Sequence, residues 1–393
     1  MVELKEAIKI IKDNVIKINR TKKVNIVKSI NKVSVEDIYA PIDNPPFDRS
    51  PYDGYTYNSN SENEKLKVIG VVYAGDVLKR KINKNEAVKI MTGGKIPEGA
   101  NCVIKKEDVD IIGDMIIPNV KLNEYDNYVF KGEDIAKGQL IIRKNSIIGY
   151  EHIGILASVG IHEVTIYDDL RVGILNTGTE IQDIDEVLDD GKIYDSNKYI
   201  LHSKLLNLGI DPITIDRSDD NILELKNKIK DIIKDVDILI TTGGVSVGDK
   251  DLIPQVFKDI GAKELFWRVN IKPGGTCCVA TLGNKVLFGL SGNPHATLIV
   301  FESILIPTLE YLTFKEKNHN IKAVFKGEFN KISKKDRFVN GRLFTKDTVL
   351  YVELTDDKDA KNRLYSKINS NCLIKVEKNN TIEDNQEVDI LLI

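Results

Sequence analysis

Residues 237–253 read DILITTGGVSVGDKDLI. A short apolar run ends in two threonines and the pair Gly243 and Gly244, followed by Ser246, Gly248, Asp249 and Asp251. An apolar run of this length closed by glycine reads as a buried strand entering a loop. That loop admits three chemistries: Ser246 is a nucleophile, the glycines cradle an anion, or Asp249 and Asp251 hold a metal.

The surroundings decide the fold class. From Leu170 onward, strand-like LRVGILNTG, helical SNKYILHSKLLNLG, strand-like IDPITID, helical NILELKNKIKDIIKD, strand-like VDILITTGG and helical DLIPQVFKDIG alternate. ELFWRVNI, GTCCVATLG and NKVLFGLSG follow, then the helical PHATLIVFESILIPTLEYL. Ser196 or Asn197 is expected to cap the first helix, with Gly209 just past its end. Alternation on this scale predicts βαβ units, hence a three-layer α/β domain with a mostly parallel sheet.

The flanks read differently. Residues 1–30 predict one amphipathic helix, with Leu4, Ala7, Ile8, Ile11, Val15 and Ile18 on one face. The proline-dense PIDNPPFDRSPYDGY (41–55) predicts an extended connection. Residues 65–130 hold short β-type runs separated by Gly and Pro, a small all-β unit. YEHIGILASVG predicts a short helix closed by a glycine. After about residue 316 the helical pattern stops and a small β-barrel or sandwich is expected.

Composition removes several functions. The 393 residues include 56 basic and 59 acidic ones, a net charge of −3 without a basic stripe, so nucleic acid is not an expected partner. Cys102, Cys277, Cys278 and Cys372 form no C-x-x-C pair, which predicts buried thiols in a reducing compartment rather than a zinc site or disulfide framework. The N-terminus lacks the apolar run of a signal peptide. ATLIVFESILIPTLEYL is broken by Glu302 and Pro307 and reads as too short to span a bilayer. A cytoplasmic protein with no membrane contact is expected.

Parallel sheets bind ligands at the carboxyl ends of their strands. Three glycine-rich loops fall there: NTGTEI, TTGGVSVGDKD and LSGNPHA. Glycines let the backbone approach a ligand. In the third loop Asn293 is a cap and Pro294 a first-turn residue, and a helix start of this kind favours an anion. Together the loops point to a phosphate-bearing small molecule; the plainer reading is tight βα turns. GVSVG fits the nucleophile-elbow spacing, but VGDKD stands where that motif requires a helix, and a hydrolase would need His295 or His319 as its base. Ser246 is therefore read as an anion contact. Asp249 and Asp251 beside a phosphate suit Mg²⁺, which takes one or two carboxylates plus phosphate oxygens and water. Asp53 and Glu180 are further loop acids near glycines. Arg268 and Lys272, four apart, would share a face of one strand, as oxyanion ligands or as a solvated face.

Eight stretches, in order from about residue 40 to 300, resemble the MoeA family, the molybdopterin molybdenumtransferases that include the gephyrin E domain: PPFDRSPYDGYTY, AVKIMTGGKIPEGANCVIKKED, KGEDIAKGQLI, VGILNTGTEI, GKIYDSNKYIL, TTGGVSVGDKD, FWRVNIKPGG and GLSGNP. DRFVNGRLF and SNCLIKVE match more loosely. The resemblance implies an elongated homodimer with four domains per chain. Residues 1–41 with 136–170 would form a discontinuous N-terminal helical and β domain, and 42–135 an inserted β domain. Residues 171–316 would form a MogA-like α/β domain, and 317–393 a C-terminal β-barrel. The implied reaction joins molybdate to the dithiolene of adenylylated molybdopterin and releases AMP and molybdenum cofactor, assisted by Mg²⁺. A MogA-type adenylyltransferase would be a transient partner.

Carried over by position, the catalytic set is Asp53, Asp134, Glu180, Asp219, Asp251, Arg268 and Lys272. Asp219 and Asp251 would work around Mg²⁺ and the pyrophosphate. Lys272, Arg268 and Arg342 would attract molybdate. Asp53 and Thr92 would close the pocket from the partner subunit. Thr177, Gly178, Gly243, Gly244, Ser246, Gly248, Asp249, Pro273, Gly292, Asn293 and Pro294 would line the substrate. Four positions depart from the family: Gly275 where P-G-K-P has lysine, Ser291 in place of proline, Thr179 in place of an acid, and DAK at Lys361 where Q-G-S is common. These departures leave open tungstate in place of molybdate, a specialised paralogue, and a non-catalytic molybdopterin-binding scaffold. Adenylyl transfer to molybdopterin, which needs the α/β unit alone, is the other enzymatic reading.

Overall fold

The computed structural model describes residues 1–218, 221–245, 252–355 and 364–393. The chain divides into two compact units: residues 21–166, and residues 1–20 with 167–393.

The unit of residues 21–166 is built on a six-stranded sheet. Its order is Cys102–Lys105, Gly54–Tyr57, Glu86–Ile90, Leu66–Val72, Met115–Pro118, Val109–Ile112. The segment DGYTY, expected within an extended connection, is instead an inner strand whose residues Gly54–Tyr57 are all buried. Tyr-Thr-Tyr is strongly strand-forming, and this outweighs the prolines before it. Tyr55, Leu66 and Ile104 pack on one face of the sheet, and Val72, Ile90 and Val103 on the other. The helix Tyr150–Ser158 forms where the pattern places it and closes at Gly160, φ +78°.

The expected helix over 1–30 is shorter. α1 (Leu4–Asn14) ends as Val15 turns extended, and Thr21–Asn25 is a strand paired with Glu163–Tyr167. Ala7 and Ile11 of α1 are fully buried in the core of the other unit. Residues 1–20 thus belong to the same compact unit as the α/β body and residues 167–170.

In that second unit β1 (Val172–Thr177), α2 (Ser196–Asn207), β2 (Ile213–Ser218), α3 (Ile222–Ile232), β3 (Ile238–Thr242), α4 (Ile253–Asp259), β4 (Lys263–Trp267), β5 (Ile271–Lys272), β6 (Cys278–Leu282) and β7 (Lys285–Leu290) follow in order. One sheet runs β2-β1-β3-β7-β6-β4. β2, β1, β3 and β7 are parallel, and β6 alone is reversed, antiparallel to both β7 and β4. β1 and β3 are buried at every residue because both sheet faces are covered. Ile174, Ile240 and Phe288 face α1, α2 and the long helix that follows β7, while Leu175, Leu239 and Leu287 face α3 and α4. The α2 cap is Asp195, whose carboxylate accepts from Lys198 N at 3.0 Å, one residue before the expected Ser196 or Asn197.

α5 (Pro294–Leu312) spans 19 residues and is long and apolar enough to cross a membrane by length and composition, which corrects the reading that it is too short. Its apolar window is 83% buried inside the protein, so it is a core helix. It widens to a π turn over Phe301–Leu305, just before Pro307. A proline ring clashes with the carbonyl four residues earlier, and a wider turn relieves that clash.

β8 (Asn320–Lys326), β9 (Asp336–Lys346), β10 (Val349–Leu354), β11 (Cys372–Val376) and β12 (Glu387–Leu392) pair in the order β9-β10-β8-β12-β11, and β11 returns to β9. The result is a closed barrel around Phe325, Val352, Ile374 and Ile390. β5 pairs in parallel with the first two residues of β9.

Candidate functional site at the strand-end loops

β1, β3 and β7 are adjacent and parallel, so their carboxyl ends share one sheet edge. Thr177 Oγ1 donates to Thr242 O at 3.2 Å, and Gly243 N donates to Leu290 O at 3.0 Å. These bonds fasten the three strand ends together. Gly178, Gly243 and Gly244 hold φ values of +145°, +87° and +61°. Space is as restrictive as φ: a Cβ on Gly243 would lie 2.3 Å from Thr177 O, and one on Gly178 2.8 Å from a Glu180 carboxylate oxygen. A Cβ on Gly292 would lie 3.7 Å from Gly243 Cα. The structure thus brings Thr177, Gly178, Glu180, Gly243, Gly244 and Gly292 together.

The third loop is built as expected. Asn293 Oδ1 accepts from Ala296 N at 3.1 Å, and Pro294 occupies the first helical turn. Asn197 Nδ2 donates to Gly292 O at 2.8 Å, and Asn293 N donates to Ser291 Oγ at 3.2 Å. Asn176 Nδ2 donates to both Asp195 oxygens, at 2.6 and 2.7 Å. Sequence reasoning missed Asn176, Asp195 and Asn197; their signal was polar residues at a strand end and a helix start. The Oδ1 atoms of Asn176 and Asn197 are buried without hydrogen-bond partners among the described residues, leaving two acceptors beside the loops. His295 is buried in the first turn of α5, and that burial, with Lys367 adding to it, pushes its pKa down to about 4. A neutral imidazole follows.

The cations do not share a strand. Trp267 ends β4, Arg268 has φ +78°, and Lys272 lies in β5 of the barrel sheet, so the same-face argument for the pair fails. The Arg268 guanidinium lies 5.3 Å from the Trp267 ring centroid. Trp267 Nε1 donates to Val245 O at 3.1 Å, tying β4 to the glycine loop. Pro273 follows Lys272 directly. Arg342 sits on β9 five residues beyond Arg337, the partner of Lys272 in register, about 16 Å along the strand.

Within residues 21–166, Thr92 N and Oγ1 each donate to Asp53 Oδ1 at 2.8 Å. The Thr92 amide first, then its hydroxyl, holds the Asp53 carboxyl below its ordinary range. Asp134 Oδ2 accepts from Asn44 Nδ2 at 3.0 Å. Asp219, Ser246, Gly248, Asp249, Asp251 and Lys361 lie outside the described residues. Among the described residues no group of three or more His, Cys, Asp or Glu converges on one point. Glu180 and Asp195 are carboxylates held against the described loops. Carboxylate oxygen is the donor type Mg²⁺ accepts, alongside phosphate and water.

Residues 2–160 match the family described as the MoeA N-terminal region (domain I and II), and residues 173–311 the one described as a probable molybdopterin binding domain. The chain is 34% identical over 328 residues to the molybdopterin molybdenumtransferase of Staphylococcus aureus (strain MSSA476), covering 81% of this chain and 78% of that protein. It is 34% identical over 332 residues to the molybdopterin molybdenumtransferase of Bacillus subtilis (strain 168), covering 81% and 77%. The solved structure of the molybdopterin biosynthesis MoeA protein from Pyrococcus horikosii superimposes with a TM-score of 0.87 at 27% identity, covering 100% of this chain and 99% of that one.

Proposed function

The chain belongs to the MoeA family, transferases of molybdenum cofactor biosynthesis, and from that premise we propose that it joins molybdate to the dithiolene of adenylylated molybdopterin with release of AMP. The observation that carries this reading is the fastening of three glycine-bearing strand ends at one sheet edge, where Gly243 leaves no room for a side chain against Thr177. A backbone this bare accepts a phosphate-bearing ligand at contact distance. The start of α5, capped by Asn293, turns its positive end toward the same edge. The unpartnered amide oxygens of Asn176 and Asn197 suit N–H donors of a heterocycle.

Lys272 supplies charge for the oxyanion, with Arg268 and Arg342 contributing at longer range. Asp251 and Asp219 would hold Mg²⁺, which supplies positive charge to the pyrophosphate oxygens as the adenylate link is cleaved. Thr92 and Asp53 of the partner subunit would complete the site in a homodimer, and a MogA-type adenylyltransferase would deliver the substrate. The reaction belongs in the cytoplasm.

The test is turnover by purified protein supplied with Mg²⁺ and adenylylated molybdopterin, titrated with molybdate and separately with tungstate. Oxyanion-dependent AMP release with metal in the pterin product supports the proposal, and the more effective oxyanion identifies the metal. Tight binding of the adenylate with no AMP release in either titration would refute it in favour of a binding protein.

A further inference from the structure

The seam between β5 and β9 carries an excess of positive charge. In register, Ile271 stands opposite Asp336 and Lys272 opposite Arg337. Cross-strand partners share a sheet face, and so do residues two apart on a strand. Lys272 and Arg337 therefore belong to one face, and Lys335 stands in the bend immediately before β9. Asp336 belongs to the other face, where it pairs with Lys375 at 3.4 Å and accepts from Lys378 N at 3.1 Å. Among the described residues none of the three cations has a carboxylate partner, and Arg337 Nε is buried without a hydrogen bond. The Arg337 guanidinium lies 5.6 Å from the Phe329 ring centroid, and like charges gathered along one seam repel one another unless an anion joins them.

Gly275 shows where the third charge goes. Its φ lies outside the left-handed region, so space and not backbone strain excludes a side chain there. A Cβ on it would lie 2.7 Å from Ile271 O, 3.0 Å from Val269 O and 3.3 Å from Lys335 Nζ. The loop is closed by Val269 N donating to Gly275 O at 3.0 Å. The Lys335 ammonium thus rests against the bare backbone of the loop that carries Lys272. Position 275 is also where the family resemblance leads one to expect a lysine. We propose that Lys335, reaching from the barrel, supplies the second lysine of the oxyanion subsite, so that this chain holds molybdate or tungstate between Lys272 and Lys335. The inference rests on the proposed function.

The experiment compares wild type, K335A, K335R and the adjacent exposed-lysine control K334A. KM for molybdate, KM for the adenylate and kcat are measured from AMP release, and molybdate and tungstate binding by calorimetry. One charge-assisted contact predicts a rise of ~10-fold or more in the molybdate KM and Kd of K335A. K335R should recover most of it, with the adenylate KM unchanged and K334A equal to wild type. An unchanged molybdate KM in K335A, or an equal rise in K334A, overturns the assignment. If wild type releases no AMP, the transferase reading fails on its own. Calorimetry then still decides: K335A binding oxyanion as tightly as wild type overturns the role of Lys335.

Discussion

Substituting Gly243 by alanine tests whether the strand-end loops are the working site. Gly243 has φ +87°, a conformation that costs an L-residue about 1–2 kcal/mol. The added Cβ would also lie 2.3 Å from Thr177 O, where ordinary contact begins at 3.4 Å. One strand end must therefore retreat by about 1 Å, and a misplacement of that size at a reacting centre costs ~10²-fold in rate. Gly261, just past α4, separates the two effects: it has the same φ of +87°, but its Cβ would meet nothing within 4 Å. G261A should lose about 1–2 kcal/mol in urea denaturation and keep its activity. G243A should lose at least as much stability and ~100-fold in oxyanion-dependent kcat/KM. Wild-type turnover in G243A, or an equal activity loss in G261A, would refute the assignment of chemistry to this sheet edge.

Three other outcomes follow from burial. Lys204 Nζ lies 2.6 Å from Glu302 Oε1, whose side chain is 1% exposed within the π turn of α5, so K204M should destabilise by about 3–5 kcal/mol in urea titration. K204M/E302L should recover most of that loss, because the stranded charge is gone. His295, with its folded pKa at about 4 below the free value of 6.5, leaves stability intact above pH 6.5. As pH falls from 6.5 to 4 the unfolded chain takes up the proton first, removing on the order of 3 kcal/mol, and H295Q should flatten stability across that window. All four cysteines are buried; burial pushes Cys102, Cys277 and Cys278 up to about 12 and Cys372 to about 11. A thiol reagent should label them in the unfolded protein and leave them largely unmodified in the native one over the same interval.

The strands of the α/β sheet and the turn chemistry of the third loop were legible in the sequence because their causes are local. A fully buried parallel strand is a continuous apolar run, and Asn-Pro before an apolar segment is a helix start in almost any context. The end of α1 was less legible, since Val15 and Ile18 continue a helical period by chance while the chain turns extended. The buried strand Gly54–Tyr57 was hidden behind four prolines. Pairings across long separations were invisible. Asp195 holding Asn176, β5 leaving its sequence neighbours to join the barrel, and Lys335 reaching Gly275 each depend on where distant segments meet. Residue types and spacing determine which chemistry a chain can carry. Which groups share a face, and which glycine has no room for a methyl group, are decided when the sheets pack, because contact distances of 2–4 Å are set by the whole fold.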